Sequence, residues 1–183
     1  MHRILSDEAL DILFRTARSP EAWLDRSVGE TVLRALWELA RLGPVSRKAL
    51  PVRIFFLRSP GAKERLASAL PPQARAAAWN APVTAILASD TGGLAESAPI
   101  GAEARAQAAA DGALRGAYLI VAARALGLDC CPIWDFDAGA LERAFFPEGG
   151  GIPIFLCALG YGDKAQLAAD PPRPVLDEAC RFL

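Results

Sequence analysis

Few residues in this chain are equipped to do chemistry on their own. The single histidine is His2, at the extreme N-terminus. Neither a Ser-His-Asp nor a Cys-His arrangement therefore has a base, and a His-rich metal site cannot be assembled. Cys130, Cys131, Cys157 and Cys180 form no Cys-x-x-Cys pair or other zinc spacing. The vicinal pair Cys130-Cys131 could carry redox chemistry, although cysteines serving as small buried apolar residues are far commoner. Asp135, Asp137 and Glu142 offer carboxylates for a hydrolase, but Asp137 reads as a helix N-cap and Glu142 as a solvated helix face. Gly160-x-Gly162-x-x-Ala165 follows an apolar run in the manner of a dinucleotide fingerprint. No helix is expected at Asp163, Pro171-Pro172 comes soon after, and too little chain remains for a βαβ unit. Demanding chemistry here points to a bound cofactor as its carrier.

The scaffold implied by the composition is ordinary. A length of 183 residues suits one domain spanning 1–183, and a hydrophobic content of 52% is ample for a core. A net charge of −1 with 22% charged residues argues against a nucleic-acid or membrane-surface partner, either of which calls for a basic stripe. No apolar run approaches the ~20 residues that span a bilayer, and the first residues lack a signal-peptide core. The expected location is cytoplasmic.

Periodicity supplies the elements. Ser6 caps a first helix, with Asp7 and Glu8 favouring its dipole and Leu10, Leu13, Phe14 and Ala17 forming one buried face. Leu33, Leu36, Trp37 and Ala40 repeat the pattern in a second helix stopped by Gly43 and Pro44. Val52–Arg58 reads as a strand, Lys63–Leu70 and Gln73–Trp79 as short helices parted by Pro71-Pro72, and Val83–Ser89 as a central strand, apolar on both faces. After a Gly- and Pro-bearing loop over Thr91–Gly101 comes a long Ala-rich helix, Ala102–Leu126, stopped by Gly127. Its small side chains suit either close helix packing across a dimer or a buried core position. Asp137 caps a helix running through Phe145, Gly149-Gly150-Gly151 leads into the strand Ile152–Leu159, and Val175–Leu183 closes with an amphipathic turn or two. The order of elements predicts an α+β fold, a small, mostly antiparallel sheet flanked by helices.

Several motifs punctuate this order: Arg18-Ser19; Gly43-Pro44-Val45-Ser46 leading to Pro51; Ala81-Pro82-Val83-Thr84; Leu126-Gly127-Leu128-Asp129-Cys130-Cys131-Pro132-Ile133; Gly160-Tyr161-Gly162-Asp163; and Arg173. Their order and spacing resemble the FMN-dependent nitroreductase family, and within it the malonic semialdehyde reductase branch. The resemblance covers nearly the whole chain apart from a shortened stretch around Asp90–Ala110. It implies an intertwined homodimer with FMN at the subunit interface. NAD(P)H would dock transiently as reductant, and the acceptor would be a small electrophile: a short aldehyde such as malonic semialdehyde, a quinone or a nitro compound. It also implies that Arg18, Ser19 and Arg173 serve the flavin phosphate, and that Pro44 and Ser46 belong to a loop reaching a flavin across the dimer. Pro132 and Ile133 would lie along one ring face. No side chain need be catalytic, because flavin N5 carries the chemistry.

The chain departs from that pattern at several positions. Lys48 stands where the family usually has Asn, Ala74 and Ala77 stand where the look-alike has Asn and Lys, and Asp170 replaces a second C-terminal Arg. Trp134-Asp135 replaces a pair of small residues. Two readings follow. In one, Lys48 meets the ring carbonyl, the Asp135 N–H still donates, and Trp134 stacks over the ring. In the other, Trp134 and Lys48 plug the old pocket of a flavin-free binding or structural dimer.

Overall fold

The computed structural model describes residues 3–44, 50–91, 101–169 and 172–183. Ser46, Lys48 and Asp170, with residues 92–100 of the expected Thr91–Gly101 loop, lie outside the described residues.

Four strands, β1 (Val52–Leu57), β2 (Val83–Asp90), β3 (Asp129–Ile133) and β4 (Gly151–Gly160), form one sheet in the order β1-β2-β4-β3. All three pairings are antiparallel. β2 is central, as its two-sided apolar run predicts, and only Asp90 at its end is not fully buried. β3 was not expected as a strand, since a vicinal cysteine pair and Pro132 disguise it. An edge position accounts for the proline, whose missing N–H costs least there. β4 carries Pro153 inside the sheet at an irregularity opposite Leu87 and Ala88, beyond the reach of β3, whose pairing stops at Ile133 opposite Leu156.

Helices cover both faces. On one lie α2 (Glu30–Ala40) and α5 (Ala102–Ala125). Leu33, Leu36, Leu119 and Ala123 meet Val83, Leu87, Phe155 and Cys157 there. On the other lie α3 (Pro60–Ala67), α4 (Pro72–Asn80) and α6 (Ala138–Phe145), which pack Leu66, Ala78, Leu141 and Phe145 on Ile86, Ile133 and Leu156. Two buried hydroxyls tie the layers together: Thr84 donates to the Ala78 carbonyl at 2.6 Å and Ser89 to the Ala108 carbonyl at 3.1 Å, so neither is left unsatisfied.

The predicted caps are present. Ser6 accepts the Ala9 N–H at 3.3 Å and Asp137 the Ala140 N–H at 2.8 Å. Gly127 ends α5 with φ 77°, and the Leu128 and Gly127 N–H groups bond back to the Ala123 and Arg124 carbonyls, a left-handed stop that glycine adopts without penalty.

Two expectations need correction, and the expected C-terminal turn forms without a partner surface. The first helix, α1 (Asp7–Leu10), widens into a π-type segment over Asp11–Arg15 and buries no residue; Phe14 is exposed and Leu10, Leu13 and Ala17 are half-buried. Trp37 lies at the solvent edge of α2 rather than inside. The C-terminal turn, α7 (Leu176–Ala179), has no buried residue. In each case an apolar stripe is present without an intrachain surface to meet it.

Close approach of α5 to β4 depends on two glycines one turn apart. A Cβ on Gly112 would come within 2.5 Å of Ile154, and one on Gly116 within 1.9 Å of the Phe155 ring. Gly116→Ala therefore has to displace a fully buried ring, at a cost of about 1–3 kcal/mol in urea unfolding. Gly61→Ala in α3, where nothing lies within 4 Å, should be neutral or slightly stabilising.

Candidate functional site

The exit of β4 gathers the ends of several elements. The chain over Ala22–Leu24 runs antiparallel to the turn after β4: Leu24 donates to the Tyr161 carbonyl at 2.8 Å, Asp163 donates to the Ala22 carbonyl at 2.9 Å, and Trp23 pairs with Gly162. At the start of β3, the Asp129 carboxylate accepts the Gly162 N–H at 2.8 Å. Asp163 then caps a short 3₁₀ turn, Lys164–Gln166, where no helical start was expected. Arg18 is thereby held against the β4 exit, and its guanidinium donates to the Ala17 and Arg15 carbonyls at 3.0 and 3.3 Å.

Arg18 lines a cleft of about 150 Å³ with Thr16, Pro20, Asp129, Gly162 and Lys164. Ser19 beside it is exposed. Arg173 is not among the lining residues and lies exposed ahead of α7. Lys164 is a second cation lining the cleft with Arg18. Sequence reasoning missed this residue, although it follows directly on the Gly160-Tyr161-Gly162-Asp163 motif.

The second cluster lies where β3 ends. Along β3 the side chains alternate between faces. Cys130 faces α5, Ile133 is buried in the α4–α6 core, and Pro132 opposite Cys157 is half-buried. Of Ile133, only the backbone is therefore free to lie along a ring. Trp134 stacks on Phe155, with ring centroids 4.8 Å apart and planes tilted by 31°. Phe155 is itself buried, whereas Trp134 is 61% exposed, so one face of the indole is supported and the other is open. Asp135 and Pro44 are exposed.

The sheet cysteines Cys131 and Cys157 are held as neutral thiols. Cys130 and Cys157 are buried, Cys131 is half-buried, Cys180 is exposed, and none forms a disulfide. A hydrogen bond with Cys130, together with burial, holds the Cys157 thiol well above the usual range, and burial followed by the Glu21 charge raises Cys131. Thiols held neutral are poor nucleophiles.

Comparison with known proteins places the chain. No family model matches it. A protein of Ralstonia nicotianae with the provisional name NADH dehydrogenase/NAD(P)H nitroreductase RSc1004 is 38% identical over 193 aligned positions, covering 98% of each chain. A Ralstonia pickettii protein with the same provisional name, HadB, is 39% identical across 94% of this chain and 96% of its own. The chain belongs to the NAD(P)H nitroreductase family. A provisionally named nitroreductase from Exiguobacterium sibiricum, solved in complex with FMN, shares the fold with a TM-score of 0.81 at 16% identity, all of both chains being covered.

Within this nitroreductase-family chain the departures at Ala74, Ala77 and Trp134 fall on described residues. Ala74 is buried, and Ala77 packs against the same core cluster, so α4 turns methyl groups inward there and offers no side-chain donor at either position. Two features among the described residues have the chemistry to receive a flavin mononucleotide: the cleft lined by Arg18 and Lys164, and the Trp134 indole stacked on Phe155 with its other face exposed. Trp134, 61% exposed, does not sit between the described elements of its own chain, and the loop it could meet at 45–49 lies outside the described residues.

Trp134→Ala should accordingly cost about 1 kcal/mol in urea unfolding, the scale of one exposed aromatic pair. Phe155→Ala should cost about 3–5 kcal/mol. A loss above about 3 kcal/mol for Trp134→Ala would mean that the indole occupies a core position.

Proposed function

We propose that this chain is an FMN-dependent oxidoreductase that takes reducing equivalents from NAD(P)H and passes them to a small electrophile, a short aldehyde, a quinone or a nitro compound. The observation that carries this reading is the Trp134 indole, stacked on the buried Phe155 and 61% exposed, which offers a supported aromatic face where a flavin ring would lie. The provisional names of relatives similar over nearly the full length, and the FMN complex of a protein with the same fold, support it.

A bound flavin would supply hydride transfer. The chain's own part is binding and exclusion. Arg18 and Ser19 would hold the phosphate end, with Arg173 approaching from the C-terminal segment. The backbone over Pro132, Ile133 and Trp134 would form one wall, and the exposed Asp135 N–H would be available to the polar edge of the ring. Without a histidine near the site, the acceptor's proton comes from water.

We read residues 1–183 as one domain that works as a cytoplasmic homodimer. Large apolar side chains left uncovered on the N-terminal segment (Ile4, Leu5, Phe14) and on α5 (Leu114, Tyr118) support the dimer, because a second copy would cover them. No helix among the described residues is long and apolar enough to cross a membrane. The second reading, a flavin-free dimeric binding or structural protein, is favoured by one observation: α4 supplies only alanines at the two positions where the look-alike has polar side chains.

Two measurements test the proposal. Purified protein, or protein incubated with FMN and desalted, should be yellow, release FMN on denaturation and oxidise NAD(P)H with a quinone or nitroaromatic acceptor. Protein that stays colourless after reconstitution supports the flavin-free reading. Light scattering at micromolar concentration should give twice the 19.4 kDa chain mass; a monomeric mass would rule out a site shared between two subunits.

A further inference from the structure

A cleft of about 560 Å³ lies between the segment Trp23 to Val28, the exit of β1 at Arg58 and Ser59, and the α4–β2 junction at Asn80 and Pro82. That volume is in the range of small-molecule sites. Successive strands of the sheet are antiparallel, so Arg58 after β1 and Trp134 after β3 leave it in opposite directions. Arg18 and Lys164 do not line this cleft.

Its apolar wall is built around Gly160. A Cβ there would come within 2.5 Å of Pro82 and 2.9 Å of the Trp23 ring, so the bare backbone lets both pack against the end of β4. The polar rim is held by bonds that leave donors over. Ser59 Oγ accepts the Ala62 N–H at 3.2 Å, and its own O–H remains to donate. The Lys63 ammonium donates to the Trp79 and Ala81 carbonyls, fixing the backbone on either side of Asn80. Arg26 lies 3.8 Å from the centroid of the Tyr161 ring, which orients the guanidinium without using its N–H edge. Among the described residues, no hydrogen bond or ion pair engages the Arg58 guanidinium or the Asn80 amide. Asp25 also lines the cleft and forms an ion pair with neither arginine.

Donors thus face the cleft from three chain segments beside an apolar wall. Arginine supplies paired, planar donors for a carboxylate or a phosphate, and the wall suits the carbon body that carries such a group. We propose that this cleft binds a small organic anion, with Arg58 and Arg26 holding its carboxylate or phosphate head and Trp23 and Pro82 its apolar part. The site is separate from the flavin reading and does not depend on it.

The probes are benzoate and phenyl phosphate, titrated calorimetrically into the full-length protein at low salt, where exposed charges are least screened. Wild type should bind at least one of them saturably, and the tighter of the two names the head group. Arg58→Met, at an exposed position, should weaken that binding about tenfold, the scale of one charge-assisted hydrogen bond. Arg58→Lys should regain part of it, keeping the charge without the planar fork. Asp25→Asn should tighten it about twofold, the scale of an exposed charge pair. No saturable binding by wild type, or equal affinity in wild type and Arg58→Met, would overturn the proposal. So would binding lost in Arg18→Met and kept in Arg58→Met, which places the anion in the cleft beside Arg18. Colourless protein that binds a probe through Arg58 would sink the flavin reading alone, and yellow protein that binds neither probe would sink this site alone.

Discussion

The contact on which the rest depends is that of α5 with β4 through Gly112 and Gly116. With no Cβ at either position, Ile154 and Phe155 press directly against the helix. This fixes Phe155, which in turn supports Trp134 at the end of β3. A larger residue at Gly116 would push the ring outward and disturb the indole that stacks on it. The same helix ends at Gly127, whose left-handed conformation turns the chain so that Leu128 is buried and Asp129 starts β3. One helix thus positions an aromatic wall through its middle and the Asp129 carboxylate of the cleft beside Arg18 through its end.

The two clusters differ in what holds them. The Trp134 wall is held by packing, with a buried ring behind it and β3 paired to β4 up to Ile133. The cleft beside Arg18 is held mainly by backbone hydrogen bonds: Leu24 to Tyr161, Asp163 to Ala22, and Gly162 to Asp129. Those bonds fasten an N-terminal stretch that buries little of its own surface. Charges placed on such a frame stay close to water, so salt screens them far more than it affects the packed wall.

Across the chain, apolar stripes divide into those that find a surface within it and those that do not. Leu33, Leu36 and Ala40 do, against the sheet. Phe14, Trp37, Leu114 and Tyr118 do not. A stripe in the sequence does not say which surface will meet it, and within this chain these side chains meet none.

Much of this was legible before any coordinates. Local rules operate over a few residues, so the caps at Ser6 and Asp137, the stop at Gly127 and the central place of Val83–Ser89 could be read directly. The order of the motifs pointed to the nitroreductase family. Pairing and side-chain direction could not be read, because they are set by residues distant in sequence. β3 was hidden because a proline on an edge strand looks the same in sequence as a proline in a loop. The direction of the Trp134 side chain was likewise unreadable, because its stacking on Phe155 is a contact with a residue of another strand. Lys164 gave no signal at all, since alone it is an ordinary surface charge. It shares a cleft with Arg18 because the β4 exit turn, the start of β3 and the N-terminal segment are drawn together by backbone hydrogen bonds that no local pattern encodes.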